Sequence, residues 1–118
     1  MNPPRTLTCT TVVDGHTARV TVSGDLTYDT GDRLPAVVAG LLAGHPVRRL
    51  HLDLAGLGFC DSSGLGALLT VLRATTAADV ELHLDNRPAT LDRLLRRTRT
   101  YDHLTRGAGR ERKERLDH

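Results

Sequence analysis

The sequence predicts one α/β domain on a mixed, mainly parallel sheet of four to five strands with crossover helices, in the order ββαβαβα with room for a closing strand. Three observations predict it. Segments of two-residue apolar alternation take turns with segments of 3.6-residue periodicity, the pattern of strands joined by crossover helices. The 118 residues suit one domain and leave no room for a second independent core. At 39% hydrophobic but only 3% aromatic residues, with no Trp, that core has to be built from Leu, Val and Ala.

Leu7–Val13 is rich in Thr and Val, and in Ala18–Val22 the residues Val20 and Val22 alternate with Arg19 and Thr21. These read as two strands joined at Asp14-Gly15, a hairpin signal because glycine accepts a positive φ. Ser23-Gly24-Asp25-Leu26-Thr27 reads as a break, with Gly24-Asp25 most simply a turn. Leu34, Val37, Val38, Leu41 and Leu42 then follow helical spacing, with Thr30 or Asp32 as the expected cap and Pro35 confined to the first turn. Gly44-His45-Pro46 ends that helix. Leu50, Leu52 and Leu54 alternate with His51 and Asp53, so a third strand is expected over Val47–Ala55, followed by a short connection from Gly56 to Cys60. Leu65, Leu68, Leu69 and Leu72 form one apolar face of a second helix. Val80, Leu82 and Leu84 mark a fourth strand. Asn86 is the expected cap of a third helix, with Pro88 near its start and Leu91, Leu94 and Leu95 as its buried stripe. Tyr101–Thr105 offers a short last strand. The domain is taken as residues 1–106, and 107–118 as a charged tail.

Composition excludes several functions. No apolar run approaches the ~20 residues of a membrane-spanning helix, and MNPPRTLTCT carries no apolar segment of a secretory signal. The expectation is a cytoplasmic protein that does not engage a membrane. Cys9 and Cys60 are too few and too far apart for a disulfide framework or a metal site, and read as small buried hydrophobes. The net charge of +2 argues against a general nucleic-acid binder, although 10 of the 16 basic residues lie between Arg87 and Arg115. Arg93, Arg96, Arg97 and Arg99 read as the solvated face of the third helix. His16, His45, His51, His83, His103 and His118 are scattered, with no metal-ligand spacing.

The informative segment is LDLAGLGFCDSSGLGALLTVL, Leu52–Leu72. Asp61 reads as an N-cap whose carboxylate accepts from the N–H of Ser63 or Gly64. Ser62 then occupies the first helical position with its hydroxyl exposed, while Gly64 and Gly66 let another protein's backbone come close. A helix N-terminus carries about half a positive charge and spare N–H groups, which favour phosphate. A phosphoserine at Ser62 is therefore compatible with the fold, and its added charge of about −1.5 to −2 is felt by whatever docks there. The same Asp-Ser-Ser-Gly also serves as an ordinary strand-to-helix cap. Catalysis is disfavoured: the Gly-x-Ser-x-Gly of a nucleophile elbow is missing, and neither Ser62 nor Cys60 has a base at a diagnostic spacing.

Leu52–Leu69, LDLAGLGFCDSSGLGALL, resembles the signature of the STAS domain, and more narrowly that of stand-alone bacterial anti-sigma factor antagonists. Upstream, VSGDLT at Val22–Thr27 resembles the family's second strand and the turn before its first helix. The resemblance spans roughly Leu7–Leu104. It implies phosphorylation at Ser62 and docking through Asp61, Ser62, Ser63, Gly64, Leu65, Gly66 and Asp25, with no catalytic residue, cofactor or metal. It also implies the partners: an anti-sigma factor that is a serine kinase of the Bergerat ATPase type, bound by the unphosphorylated form so that its sigma factor is released, and a PP2C-type phosphatase that reverses the modification. The alternative is a STAS scaffold, stressosome-like, or a lipid-transport-complex subunit, without a kinase switch. Three features depart from the family pattern: Pro35 early in the first helix, the thin TYDHL at Thr100–Leu104, and the arginine-rich tail.

Overall fold

The computed structural model describes residues 6–98. The strand expected at Tyr101–Thr105 and the tail from Gly107 lie outside the described residues. Within them the elements run β1 (Leu7–Asp14), β2 (Thr17–Leu26), α1 (Arg33–Gly44), β3 (Arg49–Cys60), α2 (Ser62–Ala77), β4 (Glu81–Asp85) and α3 (Ala89–Arg97). This is the expected order, and the sheet is mixed: β1-β2-β3-β4, with β1 antiparallel to β2 and the other pairings parallel.

The hairpin closes at Gly15, whose φ is +63°. Two successive right-handed crossovers that step the same way across a sheet put their helices on one face, and there α1 and α2 lie side by side. Leu34, Val38 and Leu41 of α1 and Leu65, Leu68 and Val71 of α2 share one core with Val20, Val22, Leu50, Leu52, Leu54, Leu82 and Leu84 of the strands. The alternate residues form a polar outer face. On it the His51 and His83 rings stack with centroids 4.7 Å apart. Nδ1 of His51 lies 2.9 Å from the Asp85 carboxylate, which also lies 3.5 Å from the Arg19 guanidinium.

Four local expectations are corrected. β2 continues through Ser23-Gly24-Asp25, where a break and a turn were expected, and β3 begins at Arg49 and covers the whole Gly56–Cys60 connection. The cause is a pair of bulges. Between the Thr21↔Asp53 and Ser23↔Gly56 pairs β2 advances two residues and β3 three, and the same happens between Gly24↔Leu57 and Leu26↔Cys60. Each extra residue interrupts the alternation that the eye follows, so a continuous strand reads as a strand and a loop. In α1, Asp32 occupies the cap position in helical geometry without a side-chain bond. Thr30 instead closes the preceding turn, its Oγ1 accepting from Thr27 N at 3.0 Å and donating to the Asp25 carbonyl at 2.7 Å. Pro88, not Asn86, precedes α3. Asn86 turns the chain at φ +56° and donates from Nδ2 to Asp53 Oδ1 at 3.1 Å.

Candidate functional site

The Asp61–Gly66 turn is built by the end of β3 and the start of α2. Asp61 adopts extended backbone geometry, φ −102° and ψ −169°, and its Oδ1 accepts from Gly64 N at 3.0 Å. Its own carbonyl accepts from Leu65 N at 2.9 Å, the first helical bond. This is the expected N-cap, and of the two donors considered it is Gly64 that is used. Ser62 and Ser63 are both exposed. Ser62 Oγ has no hydrogen-bond partner among the described residues, so its hydroxyl points to solvent from the positive end of a 16-residue helix.

The remaining residues of the turn divide into those that shape it and those that present a surface. Gly64 is buried: a Cβ there would overlap the Leu26 carbonyl oxygen and lie 2.8 Å from Cys60 Sγ. α2 can rest on the end of β2 only because that position lacks a side chain. Leu65 is 6% exposed and faces the core. Gly66 is exposed, and a Cβ there would meet nothing within 4 Å. Asp25 lies at the far end of β2, where its Oδ1 accepts from Phe59 N at 2.9 Å and so fastens β2 to the last stretch of β3 before the turn. Its neighbour Gly24 has φ +106° because the chain must bring Asp25 N to the Thr6 carbonyl, 3.1 Å away.

Two residues missed in the sequence complete the surface. Phe59 is 53% exposed and Tyr28 84% exposed. Tyr28 borders a shallow groove between the start of α1 and the flank of α2, together with Asp32, Ser63, Gly66, Thr70 and Arg73. Phe59 lines a second, more apolar groove with Leu57, Cys60, Leu91 and Leu94. The signal was available. In so aromatic-poor a chain, both aromatics of the described region sit within a few residues of the two family-like segments and face water rather than the core.

Burial, and then the charge of Asp61, push the Cys60 thiol up to about 11, so it is protonated at neutral pH and is no nucleophile. Cys9 and Cys60 are both half-buried and unbridged. His51 pairs with Asp85 and His83 lies 3.4 Å from Glu81, and among the described residues neither hydrogen-bonds Ser62. Among the described residues no cluster of His, Cys, Asp or Glu is arranged to hold a metal, and no helix is long and apolar enough to cross a membrane.

A family model described as the Mlab-type STAS domain matches residues 9–105. No curated protein matches the sequence. Among solved structures the fold is similar to that of the anti-sigma factor antagonist SpoIIAA in its unphosphorylated form, with TM-score 0.62 and 21% identity over 77% of this chain and 82% of that one. It is also similar to an anti-sigma factor antagonist from Mycobacterium paratuberculosis, with TM-score 0.69 and 22% identity over 89% and 87%. A sulfate transporter family protein from Wolinella succinogenes gives TM-score 0.68 and 19% identity over 79% and 75%. At these identities the likeness is one of fold.

Proposed function

The chain belongs to the STAS domain family, and on that premise we propose that it is an anti-sigma factor antagonist switched by phosphorylation at Ser62. In this reading the unphosphorylated turn docks on an anti-sigma factor serine kinase with a Bergerat-type ATPase fold and releases its sigma factor. Transfer of a phosphoryl group to Ser62 ends the complex, and a PP2C-type phosphatase restores the docking form. The observation that carries the reading is the free Ser62 hydroxyl at the exposed first position of α2, beside the Asp61 cap. The likeness of fold to two antagonists, covering most of each of their chains, supports it.

The physics of such a switch needs no change of fold. Unit charges ~4 Å apart at an effective dielectric of ~20 interact by about 4 kcal/mol, on the order of a thousandfold in affinity. A phosphate placed in a close interface opposite an acidic group is therefore enough to separate the partners. Ser63, Gly66 and Tyr28 are assigned to direct contact. Gly64, Leu65, Asp61 and Asp25 shape and hold the surface.

The second reading is a subunit or module of another assembly, such as a lipid-transport complex or a stressosome-like scaffold. It draws on the Mlab description of the matching model and on the transporter-family likeness. One experiment separates the two. The protein is titrated with candidate kinase anti-sigma factors, with and without ATP, followed by intact-mass analysis and peptide mapping. One phosphate on Ser62, binding retained by Ser62→Ala and lost in Ser62→Asp, is the expected result. Equal affinity of both variants for the kinase would remove the charge switch, and a stable complex without phosphate would favour the assembly reading.

A further inference from the structure

Among the described residues the sheet ends at one edge in β4, which has five residues and carries the charges Glu81 and Asp85, of the kind that discourage edge-to-edge pairing. β1, at the other, has eight residues, and from Leu7 to Val13 it contains neither a charge nor a proline. Val12 is 60% exposed there.

The direction of its backbone groups follows from two bonds. The Thr6 carbonyl accepts from Asp25 N, so Thr6 faces β2. In an antiparallel strand successive residues point their N–H and C=O groups alternately to either side. Leu7, Cys9, Thr11 and Val13 therefore face outward. The Leu7 carbonyl is indeed met from outside, by Arg33 Nη1 at 3.1 Å. The outward groups of Cys9, Thr11 and Val13 have no partner among the described residues.

We propose that this edge is an interface with a second copy of the same chain, β1 pairing antiparallel with β1 about a two-fold axis at Thr11. This register is self-complementary. Thr11 faces Thr11 of the second copy and Cys9 faces Val13 in both directions, so three hydrogen-bonded pairs exchange two bonds each. No like charges meet along the paired stretch. The ends are complementary in charge, because Thr8 stands opposite Asp14 of the second copy. The exposed Arg33 of each copy, anchored at Leu7, is thereby brought beside the exposed Asp14 of the other. The four described strands of each copy become one continuous sheet, and the Ser62 turns, at the ends of β3, stay outside the interface.

Thr11 tests the proposal, because its N–H lies outside the β1–β2 ladder and its side chain is exposed. Thr11→Pro removes the central outward donor, and Thr11→Lys places like charges face to face on the two-fold axis. Sedimentation of the full chain is followed over a concentration series from micromolar to submillimolar, with far-ultraviolet circular dichroism and the melting midpoint as controls on folding. The expected result is a wild-type mass rising from 12.8 kDa toward twice that value, with Thr11→Lys at the monomer mass throughout and its fold unchanged. Thr11→Pro is expected to behave in the same way. A wild-type chain that stays monomeric would overturn the proposal, meaning that the edge is open or covered by the chain's own remaining residues. A dimer that persists in both variants would overturn it in favour of another surface.

Discussion

Gly64 and Gly66 lie two positions apart in the same helix, and the structure assigns them opposite responses to one methyl group. In Gly64→Ala the new Cβ overlaps the Leu26 carbonyl oxygen, sits 3.0 Å from the Leu26 carbonyl carbon and 2.8 Å from Cys60 Sγ. Two of those three atoms are backbone in a buried strand and cannot swing aside, so the first turn of α2 has to lift from β2. Overpacking of this kind costs about 1–3 kcal/mol, and the upper end applies because the lift also strains the Asp61–Gly64 cap bond. The helix-propensity gain of alanine over glycine, about 1 kcal/mol, offsets part of it, leaving a net loss of about 2 kcal/mol. In Gly66→Ala nothing lies within 4 Å of the new atom, so the propensity gain of about 1 kcal/mol stands alone. The two variants should thus differ by about 3 kcal/mol in urea unfolding. At roughly 4 °C per kcal/mol for a domain of this size, that is ~12 °C in melting temperature. If Gly64→Ala were as stable as wild type, the close seat of α2 on β2 would be wrong. If Gly66→Ala were stabilised and still bound a kinase partner with wild-type affinity, Gly66 would not belong to the docking surface.

Asp61→Ala removes the only side-chain cap of α2 and should cost about 1 kcal/mol in chemical denaturation, while Asp61→Asn should recover most of it. Asp25→Ala leaves Phe59 N without its carboxylate acceptor and should lose about 1 kcal/mol, with Asp25→Asn close to wild type in the same assay. The Cys60 thiol is raised from 9.0 to about 11, so the folded state holds its proton more tightly than the unfolded state. Its contribution to stability is complete below pH 9.0 and is lost as pH rises toward about 11. Denaturation midpoints should therefore fall over that window and fall less in Cys60→Ala, and alkylation of Cys60 at pH 7 should be slow against a free thiol.

The order of elements, the parallel core and the Asp61 cap were legible in the sequence because each rests on a local pattern: alternating leucines at 50, 52 and 54, helical spacing at 65, 68, 69 and 72, and a capping residue ahead of an apolar face. The reach of β2 and β3 was not. Beyond Leu54 the inward residues are buried Leu57 and half-buried Cys60, three apart rather than two, because the spacing is set by how β3 bulges against β2. The caps of α1 and α3 failed for a related reason. Thr30 and Asn86 are good cap residues whose side chains found other partners, Asp25 O in the preceding turn and Asp53 across the sheet. Of the site, the turn itself could be read from residue types, whereas the split between buried Gly64 and Leu65 and exposed Ser62 and Gly66 depends on how α2 rests on Leu26. The His51–His83 stack was hidden because cross-strand neighbours are set by register, and register is not written in either strand alone.

The two bulges of β3 decide where along the strand a residue can be lost. In a regular strand the side chains change face with every residue, but each bulge of β3 takes up one extra residue without changing which residues face inward. Ala55 and Gly56 are both exposed between buried Leu54 and Leu57, and Gly58 and Phe59 are both exposed between Leu57 and half-buried Cys60. Loss of one residue from either bulge would straighten the strand there and leave Phe59 and Cys60 on their present faces. Loss of one residue from the regular stretch Leu50–Leu54 would put the residues before it out of phase with β2. A deletion scan along β3 that scored folding should therefore show tolerance at the two bulges and damage in the regular stretch, and equal damage at both would break the rule.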